Sequence, residues 1–311
     1  MHPKYGKLHA KITSQLTTYA GSVRPLPGLA MPGSLDALSW QLVDSNRKSD
    51  RTRALKTKSL SSERSLPSSP LFDPEMAAVL ADRAGDFDEA CWLTFLSVHF
   101  GRHGTDGWAL VARVYGALGS NPYWTWSQFS SDPAGFRGWM ADTLRSRNTP
   151  LGRFGNHRSR ETLRADLDNG TPSVLGSYLA WIDEAGGHRK LIDRAVTQAR
   201  GDPTKAFDHL YQSMRAVRRF GRLGRFDYLT LLGKLQLANI EPGSTYLAEG
   251  TGPLAGARLL FTGSKSKALK ADEAERWADG LGRYLGLGMQ ATEDALCNWQ
   301  KSPNVFTAFR G

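Results

Sequence analysis

Apolar residues recur at three- and four-residue intervals along most of the chain, which is the spacing of helices with one buried face. Asp73-Pro74, Asp132-Pro133 and Asp202-Pro203 each precede such a pattern, and each pair offers an N-cap carboxylate followed by a first-turn proline. Residues 89–100 (EACWLTFLSVHF) are apolar on nearly every side, which predicts a helix in the centre of the core. Alternating patterns typical of strands are lacking, so we predict an all-α protein with about a dozen helices.

Composition divides the chain into three parts. Residues 1–44 form an N-terminal helical segment with one short predicted helix at residues 34–43. Residues 45–71 form a basic, serine-rich linker with little to bury, typical of a flexible segment or a basic arm. Loose contact with nucleic acid and a merely solubilising role both fit that linker. Residues 72–311 carry the continuous helical pattern and are predicted to form one body.

The positive charge is unevenly distributed. The formal net charge is +10 over 311 residues, and the first 70 residues hold 11 Lys or Arg against 4 Asp or Glu. Local basic excess is typical of proteins that bind nucleic acid. No run approaches the ~18 apolar residues of a membrane span. We therefore expect a cytoplasmic protein without a membrane partner, and the sequence carries no indication of its oligomeric state.

Few residues suggest a metal or a disulfide. Cys91 and Cys297 are the only cysteines, too few for a disulfide framework or a cysteine-rich zinc site. His99 and His103 are four residues apart, a spacing that permits two metal ligands on one helix. No third ligand accompanies them, so we expect no metal and no cofactor.

An arginine-rich stretch with two glycines spans residues 214–242. Gly221 and Gly224 lie between two helical patterns, and glycine lets a backbone approach a phosphate without interference from Cβ. Five arginines at three- and four-residue spacing predict a cationic stripe: Arg215, Arg218, Arg219, Arg222 and Arg225. The stretch predicts a hairpin that binds a nucleic-acid backbone. A tight helix–helix connection with solvated arginines is the alternative.

Several separated motifs carry a resemblance to a known family. They are FLSVHFGRHGTDGWALVARVYGALG, GRFGNHR, RFDYLTLLGKL, IEPGS, GTGPLAGARLLF and EDALCNWQKSP. Together they resemble the alpha-glutamyl/putrescinyl-thymine pyrophosphorylase family, clade 3, over about residues 72–311. That family is regarded as a divergent branch of the helix-hairpin-helix DNA glycosylases. The resemblance implies a helix-hairpin-helix glycosylase-like body.

The resemblance also implies where the site residues lie. Residues 221–227 look like the hairpin, so Arg219, Arg222, Gly224 and Arg225 would bind DNA. Glu241 follows Gly224 by seventeen residues and falls near the position of the family's catalytic Asp, although Glu replaces Asp and no proline precedes the hairpin. A rival hairpin at residues 250–253 (GTGP), followed by Asp272, matches the glycine spacing more closely but lacks flanking arginines. Phe226 occupies the place where lyase relatives carry a lysine, which implies a hydrolytic, monofunctional enzyme.

The implied function is excision of a modified base from DNA. A glycosylase would hydrolyse the N-glycosidic bond of a hypermodified, possibly glucosylated, base in phage DNA and leave an abasic site, in antiviral defence. A carboxylate would stabilise the oxocarbenium-like sugar and orient water, with Glu241 the first candidate and Asp227 the second. A base-modifying transferase of the thymine pyrophosphorylase type and a non-catalytic DNA-binding module are the alternatives.

Two further segments are candidates for the base pocket. Trp124 and Trp126, two residues apart, cannot share one helix face, so one is predicted to stack on a flipped base. Asn156 and His157 lie in the glycine-flanked loop GRFGNHR, where they would contact a base edge or a leaving group. The alternatives are core aromatic residues in the first case and a helix N-cap in the second.

Overall fold

The fold is all-α, as predicted. The computed structural model describes residues 5–146, 150–266 and 268–308, with only the backbone of Asn156. Over those residues it contains fourteen α-helices, several short 3-10 turns and no β-strand. None of the described helices is long and apolar enough to cross a lipid bilayer.

The helices are numbered in chain order. They are α1 (Gly6–Ser22), α2 (Ser34–Arg53), α3 (Pro74–Arg83), α4 (Phe87–Phe100), α5 (Ala109–Tyr115), α6 (Trp126–Ser131), α7 (Pro133–Ser146), α8 (Thr171–Ala185), α9 (His188–Gln198), α10 (Pro203–Ser213), α11 (Arg222–Lys234), α12 (Thr251–Thr262), α13 (Ala271–Leu285) and α14 (Met289–Trp299).

The chain packs as two compact units. A terminal unit combines the residues up to Thr52 with those from Pro242 onward, and a central unit runs from Arg53 to Glu241. These boundaries differ from the predicted ones at residues 44 and 71. The difference arises because the N-terminal helices bury their apolar faces against helices from the far end of the chain, a pairing that local composition does not reveal.

The core of the terminal unit joins α1 and α2 to α12, α13 and α14. Its buried residues include Leu16, Leu38, Leu260, Leu296 and Trp299. Helices α12 and α14 approach closely because Gly256 of α12 faces the backbone of Leu296. A Cβ built on Gly256 would lie 2.2 Å from the carbonyl oxygen of Leu296. Any side chain at this position therefore forces the two helices apart.

The central unit is built around α4. Every residue from Glu89 to Phe100 is buried, which confirms the prediction of a central helix for residues 89–100. Helices α3, α5, α6, α9 and α11 pack against it. Its aromatic core includes Trp92 and Phe95, and the Phe95 ring lies 3.7 Å from that of Tyr178 on α8, centroid to centroid.

The three predicted N-cap aspartates have their expected roles. Asp73 accepts hydrogen bonds from the N–H groups of Glu75 and Met76, and Asp202 does the same for Thr204 and Lys205. Asp132 accepts from the N–H of Gly135 at 2.8 Å. Each carboxylate thus satisfies first-turn donors that have no partner within the helix.

The basic segment is more structured than the sequence indicated. The helix predicted for residues 34–43 continues to Arg53, and two 3-10 turns follow at Ala54–Thr57 and Ser62–Ser65. Arg83 on α3 donates to the carbonyls of Leu55, Lys56 and Lys58 at 2.7–3.3 Å. The Lys56 ammonium also pairs with the Asp82 carboxylate. This path differs from the flexible linker predicted for residues 45–71, because the turn carbonyls find a donor on α3.

The close approach of α12 to α14 gives the first prediction. Gly256→Ala is expected to lower the free energy of unfolding by about 2–4 kcal/mol, the cost of overpacking a backbone contact. Gly280→Ala on α13 is the matched control, because a Cβ there meets only the Tyr19 hydroxyl at 3.8 Å. That change should stabilise the protein by about 0.5–1 kcal/mol through helix propensity. Urea unfolding of both variants tests the contact, and equal effects would contradict it.

The second prediction concerns Glu89, a buried carboxyl group in the first turn of α4. The Glu89 carboxylate accepts hydrogen bonds from the Tyr115 hydroxyl at 2.7 Å and the Trp126 N–H at 2.6 Å. Burial nevertheless raises the pKa of Glu89 from 4.5 to about 7.

Because the folded state binds this proton more tightly than the unfolded state, Glu89 contributes most stability below pH 4.5 and loses it as pH rises towards 7. A shift of this size corresponds to about 3 kcal/mol. In Glu89→Gln, the fall in unfolding free energy between pH 4.5 and 7 should be smaller than in the wild type by up to that amount. Urea titrations at several pH values measure it, and parallel curves for the two proteins would refute the assignment.

Candidate active site

The arginine-rich stretch consists of the end of one helix, a short connection and a second helix. One of its two glycines lies elsewhere than predicted. Helix α10 ends at Ser213, a 3-10 turn covers Met214–Ala216, and Gly221 is the N-cap of α11. Gly224 lies inside α11 and not in the connection. A Cβ on Gly224 would lie 2.9 Å from the Phe220 ring and 3.2 Å from Nη1 of Arg158. Glycine at 224 therefore admits two side chains against the helix, and its contact with a phosphate stays a prediction.

The predicted cationic stripe is wrong for two of its five arginines. Arg222 and Arg225 are buried, with 8% and 5% of their surface exposed. The Arg222 guanidinium lies 4.8 Å from the Phe226 ring centroid, and that of Arg225 lies 4.1 Å from the Tyr211 ring. Arg225 also donates to the Tyr211 carbonyl at 3.2 Å. The stripe breaks because the residues before Gly221 are not helical, so helical spacing does not relate the five positions.

The remaining arginines lie on the exposed connection. Arg219, with a left-handed φ of 62°, donates from Nε and Nη2 to the Glu161 carboxylate at 3.1 and 3.2 Å. The Arg218 N–H donates to the Ser177 hydroxyl at 2.9 Å, and its guanidinium lies 3.9 Å from the Asp168 carboxylate. The connection is thereby held against residues 160–177.

Asp227 and Arg158 form the central contact of this region. Asp227, on the second turn of α11, has a side chain 35% exposed, whereas the Arg158 side chain is only 8% exposed. Nη2 of Arg158 lies 3.7 Å from Oδ2 of Asp227, and Nε donates to the Val98 carbonyl at 2.8 Å. Among the described residues, Nη2 has no hydrogen-bond acceptor. A buried cation thus directs an unused donor at the side of a partly exposed carboxylate.

Burial sets the electrostatics of this pair. Desolvation lowers the pKa of the Arg158 guanidinium, while the charges of Asp227 and Glu161 oppose that shift. Arginine stays charged even so, because its ordinary pKa is far above neutrality. Burial, together with the charge of Arg158, lowers the pKa of His99 to about 3. His99 is therefore neutral, and it lies 3.1 Å from the Thr171 hydroxyl.

The loop GRFGNHR positions Arg158. The Gly155 N–H donates to the carbonyl of Phe100, at the end of α4, at 2.8 Å. A Cβ on Gly155 would lie 2.8 Å from the Arg102 carbonyl oxygen, so the loop approaches the chain after α4 more closely than another residue would allow. The following 3-10 turn, Asn156–Arg158, directs the arginine beneath the loop towards α11.

The structure does not bring Glu241 to Asp227. Glu241 is exposed, and its N–H donates to the Pro203 carbonyl at 3.3 Å, at the start of α10. Contacts between α10 and α11 run in opposite order along the two helices, since Arg225 meets Tyr211 while Glu241 meets Pro203. Glu241 thus lies at the end of the helix pair remote from the connection. The seven residues from Asp227 to Lys234 alone span about 10 Å of helix.

The two aromatic candidates differ in burial. Trp124 is buried against Phe136 and Trp139, at 5.2 and 5.9 Å between ring centroids. The Trp126 ring lies 4.5 Å from that of His188 and packs beside Trp92. Trp124 thus has the alternative role, that of a core aromatic residue. Trp126 is half-buried, and its place in a base pocket stays a prediction.

The remaining candidates are the loop residues Asn156 and His157, the two histidines His99 and His103, and the rival hairpin. His157 is exposed on the loop, and the side chain of Asn156 lies outside the described residues. His103 accepts at Nδ1 from the Asp106 N–H at 3.1 Å, apart from the buried His99. The described residues contain no group of three side chains placed to hold a metal. Residues 250–253 begin α12 after a single 3-10 turn, so the rival hairpin lacks a first helix, and Asp272 is exposed on α13.

Sequence reasoning missed the role of Arg158. The loop GRFGNHR predicts contacts of Asn156 and His157 with a base edge or a leaving group, and its spacing indicates no role for Arg158. Arg158 lies 69 residues before Asp227 in the sequence, and no local spacing connects the two.

Comparison with known families places the chain among enzymes related to thymine modification. Residues 33–311 match the model of the family described as alpha-glutamyl/putrescinyl thymine pyrophosphorylase clade 3, and the chain belongs to that family. The family relates to modified DNA bases. Comparison with curated proteins gave no match, and neither did comparison with solved structures.

The unused donor of Arg158 gives a stability prediction. In Arg158→Met, the change in unfolding free energy should stay within about 1 kcal/mol or favour folding, because an apolar group of similar volume replaces an incompletely bonded buried charge. Arg225→Met is the control. Both changes remove a hydrogen bond to a carbonyl and a contact with an aromatic ring, but of the two arginines only Arg158 has a buried N–H group without an acceptor. Arg225→Met should therefore cost more, about 1–3 kcal/mol. Thermal and urea unfolding measure both, and a loss for Arg158→Met equal to that for Arg225→Met would show that Arg158 is needed for folding.

Proposed function

We propose that this protein is a DNA glycosylase that hydrolyses the N-glycosidic bond of a modified base, with phage DNA as the expected substrate and the cytoplasm as its place of action. One observation carries the proposal: a partly exposed carboxylate, Asp227, lies beside a buried guanidinium at a surface edged with arginines. Family membership supports the choice of modified DNA as substrate.

The chemistry follows from charge. Breaking the bond between sugar and base leaves positive charge on the deoxyribose, and a fixed carboxylate stabilises that charge. The Arg158 charge favours the ionised form of Asp227. The carboxylate would also accept a hydrogen bond from the attacking water and so orient it. Arg158 therefore acts through Asp227 in this scheme, as a positioning residue.

The residues of α11 favour hydrolysis over lyase chemistry. A lyase needs an amine that forms a Schiff base with the sugar. The only lysine of α11 is Lys234, its last residue, and Phe226 at the predicted lyase position is fully buried. An enzyme with this arrangement would leave an intact abasic site.

The surface around Asp227 suits a polyanion. Arg102, Arg160, Arg215 and Arg218 are exposed on the segments that surround the site. Arg153, Arg164 and Arg219 are also exposed there, each paired with one carboxylate. Arg153 and Arg164 pair with carboxylates that are at least 30% exposed, and ion pairs of this kind contribute about 0–1 kcal/mol. These two arginines can therefore exchange a carboxylate for a DNA phosphate at little cost, whereas the Glu161 carboxylate beside Arg219 is only 10% exposed.

The direct test compares two carboxylates of equal charge. Asp227→Asn is expected to lower the single-turnover rate of base release from modified phage DNA by about 100-fold or more, since it removes the stabilising charge. Glu241→Gln should release base at a rate close to that of the wild type. Alkaline cleavage of the abasic product and mass spectrometry of the released base measure the reaction.

The controls separate chemistry from binding. Asp227→Asn should keep the wild-type affinity for the same DNA within a few-fold, and unmodified DNA should release nothing. Full activity in Asp227→Asn together with loss in Glu241→Gln would overturn the assignment in favour of Glu241. No base release by the wild type from any modified DNA would overturn the proposed function itself.

A second candidate is a transferase that exchanges groups at a pyrophosphorylated thymine, which the family description favours. It would yield an altered nucleoside still attached to DNA, and nucleoside mass spectrometry distinguishes that product from a free base. A non-catalytic binding module would instead show salt-dependent binding without turnover, with a reduced salt slope in Arg218→Gln.

A further inference from the structure

A chain of three hydrogen bonds crosses the interior of the central unit. Oδ1 of Asp88 on α4 lies 2.7 Å from Nδ1 of His188 on α9, and Nε2 of His188 lies 2.7 Å from the Tyr178 hydroxyl on α8. The Tyr178 hydroxyl lies 2.8 Å from that of Tyr228 on α11. Four helices are joined in this way. Asp88 is 49% exposed, whereas the other three side chains are fully buried.

At neutral pH the three hydrogen bonds can have only one assignment of donors and acceptors. The pKa of Asp88 is lowered, chiefly by the hydrogen bond from His188, so Asp88 is a carboxylate and only accepts. Burial lowers the pKa of His188, so the ring is neutral and carries its single proton on Nδ1. Nε2 must then accept from Tyr178, and Tyr178 must accept from Tyr228. Burial also raises the pKa of both phenols, so each keeps its proton.

The inner end of the chain reaches the helix that carries the candidate site. Tyr228 directly follows Asp227 on α11, so the bond that fixes the Tyr228 side chain also fixes the rotation of the helix at Asp227. The ring of Tyr178 stacks on Phe95 at 3.7 Å, and Phe95 stacks on Phe220 at 4.6 Å. The Arg158 guanidinium lies 5.4 Å from the Phe220 ring. Asp227 and Arg158 thus both contact or belong to elements that pack against the hydrogen-bonded side chains.

We propose that Asp88, His188, Tyr178 and Tyr228 form a positioning network, which holds α11 so that Asp227 keeps its place beside Arg158. Its catalytic consequence rests on the proposed function. The network touches no substrate, so it sets the rate of the chemical step and not the affinity for DNA. Displacement of a catalytic group by about 1 Å can cost as much as 100-fold in rate.

The experiment combines hydrogen exchange with kinetics. Tyr178→Phe removes the central hydroxyl while keeping the stacked ring. Amide exchange of Arg222–Lys234, followed by mass spectrometry, should accelerate about ten-fold as the helix opens more often. The single-turnover rate of base release should fall by about ten-fold or more, with the dissociation constant for DNA unchanged.

Two substitutions of Asp88 test the solvent-exposed end of the network. Asp88→Asn retains an oxygen that accepts from Nδ1 of His188, so it should behave like the wild type, whereas Asp88→Ala should resemble Tyr178→Phe. Equal defects in both would show that the charge of Asp88 matters and not its hydrogen bond, and would overturn the proposal. Tyr19→Phe, the same change at a buried tyrosine of the terminal unit, is the control and should leave α11 unaffected.

The outcomes separate this proposal from the proposed function. Unchanged exchange of α11 in Tyr178→Phe overturns the network whatever the enzyme does. Faster exchange with an unchanged rate of base release overturns its positioning role. If the wild type releases no base but exchange still accelerates, the proposed function fails while the network's hold on α11 is confirmed.

Discussion

The candidate site depends on the contact between the buried guanidinium of Arg158 and the partly exposed carboxylate of Asp227. A desolvated arginine with an unused donor is costly, so its position must be imposed by packing on all sides. The close approach at Gly155, the missing Cβ of Gly224 and the stacked ring of Phe220 supply that packing. The result is a carboxylate whose neighbour favours its ionised form while solvent reaches its other side.

Much of the fold could be predicted because it rests on local rules. The cap aspartates Asp73 and Asp202 and the uniformly apolar helix around Phe95 are readable from a few consecutive residues. The division into two units could not be predicted from the sequence, because Leu38 packs with Leu260 and Leu296 from the opposite end of the chain. The structure of the basic segment was equally hidden, since it depends on Arg83, a residue outside that segment.

The site was predicted only in part, for the same physical reason. The prediction of a stripe assumes one α-helix for all five arginines, although only Arg222 and Arg225 are α-helical and both are buried. Asp227 is a predicted candidate, but Arg158, which lies beside it, comes from a distant loop. The network that ends at Tyr228 joins residues up to 140 positions apart and leaves no pattern in the sequence. Side chains that meet through tertiary packing are visible only once the helices are placed.

The most direct measurement of the central claim compares two DNA duplexes that differ by one charge. One carries a cationic pyrrolidine in place of the target deoxyribose, and the other carries a neutral tetrahydrofuran. The wild type and Glu241→Gln should bind the cationic duplex more tightly by about ten-fold or more, as expected when a carboxylate faces the sugar. Asp227→Asn should lose this preference, and a preference retained in Asp227→Asn would contradict the account.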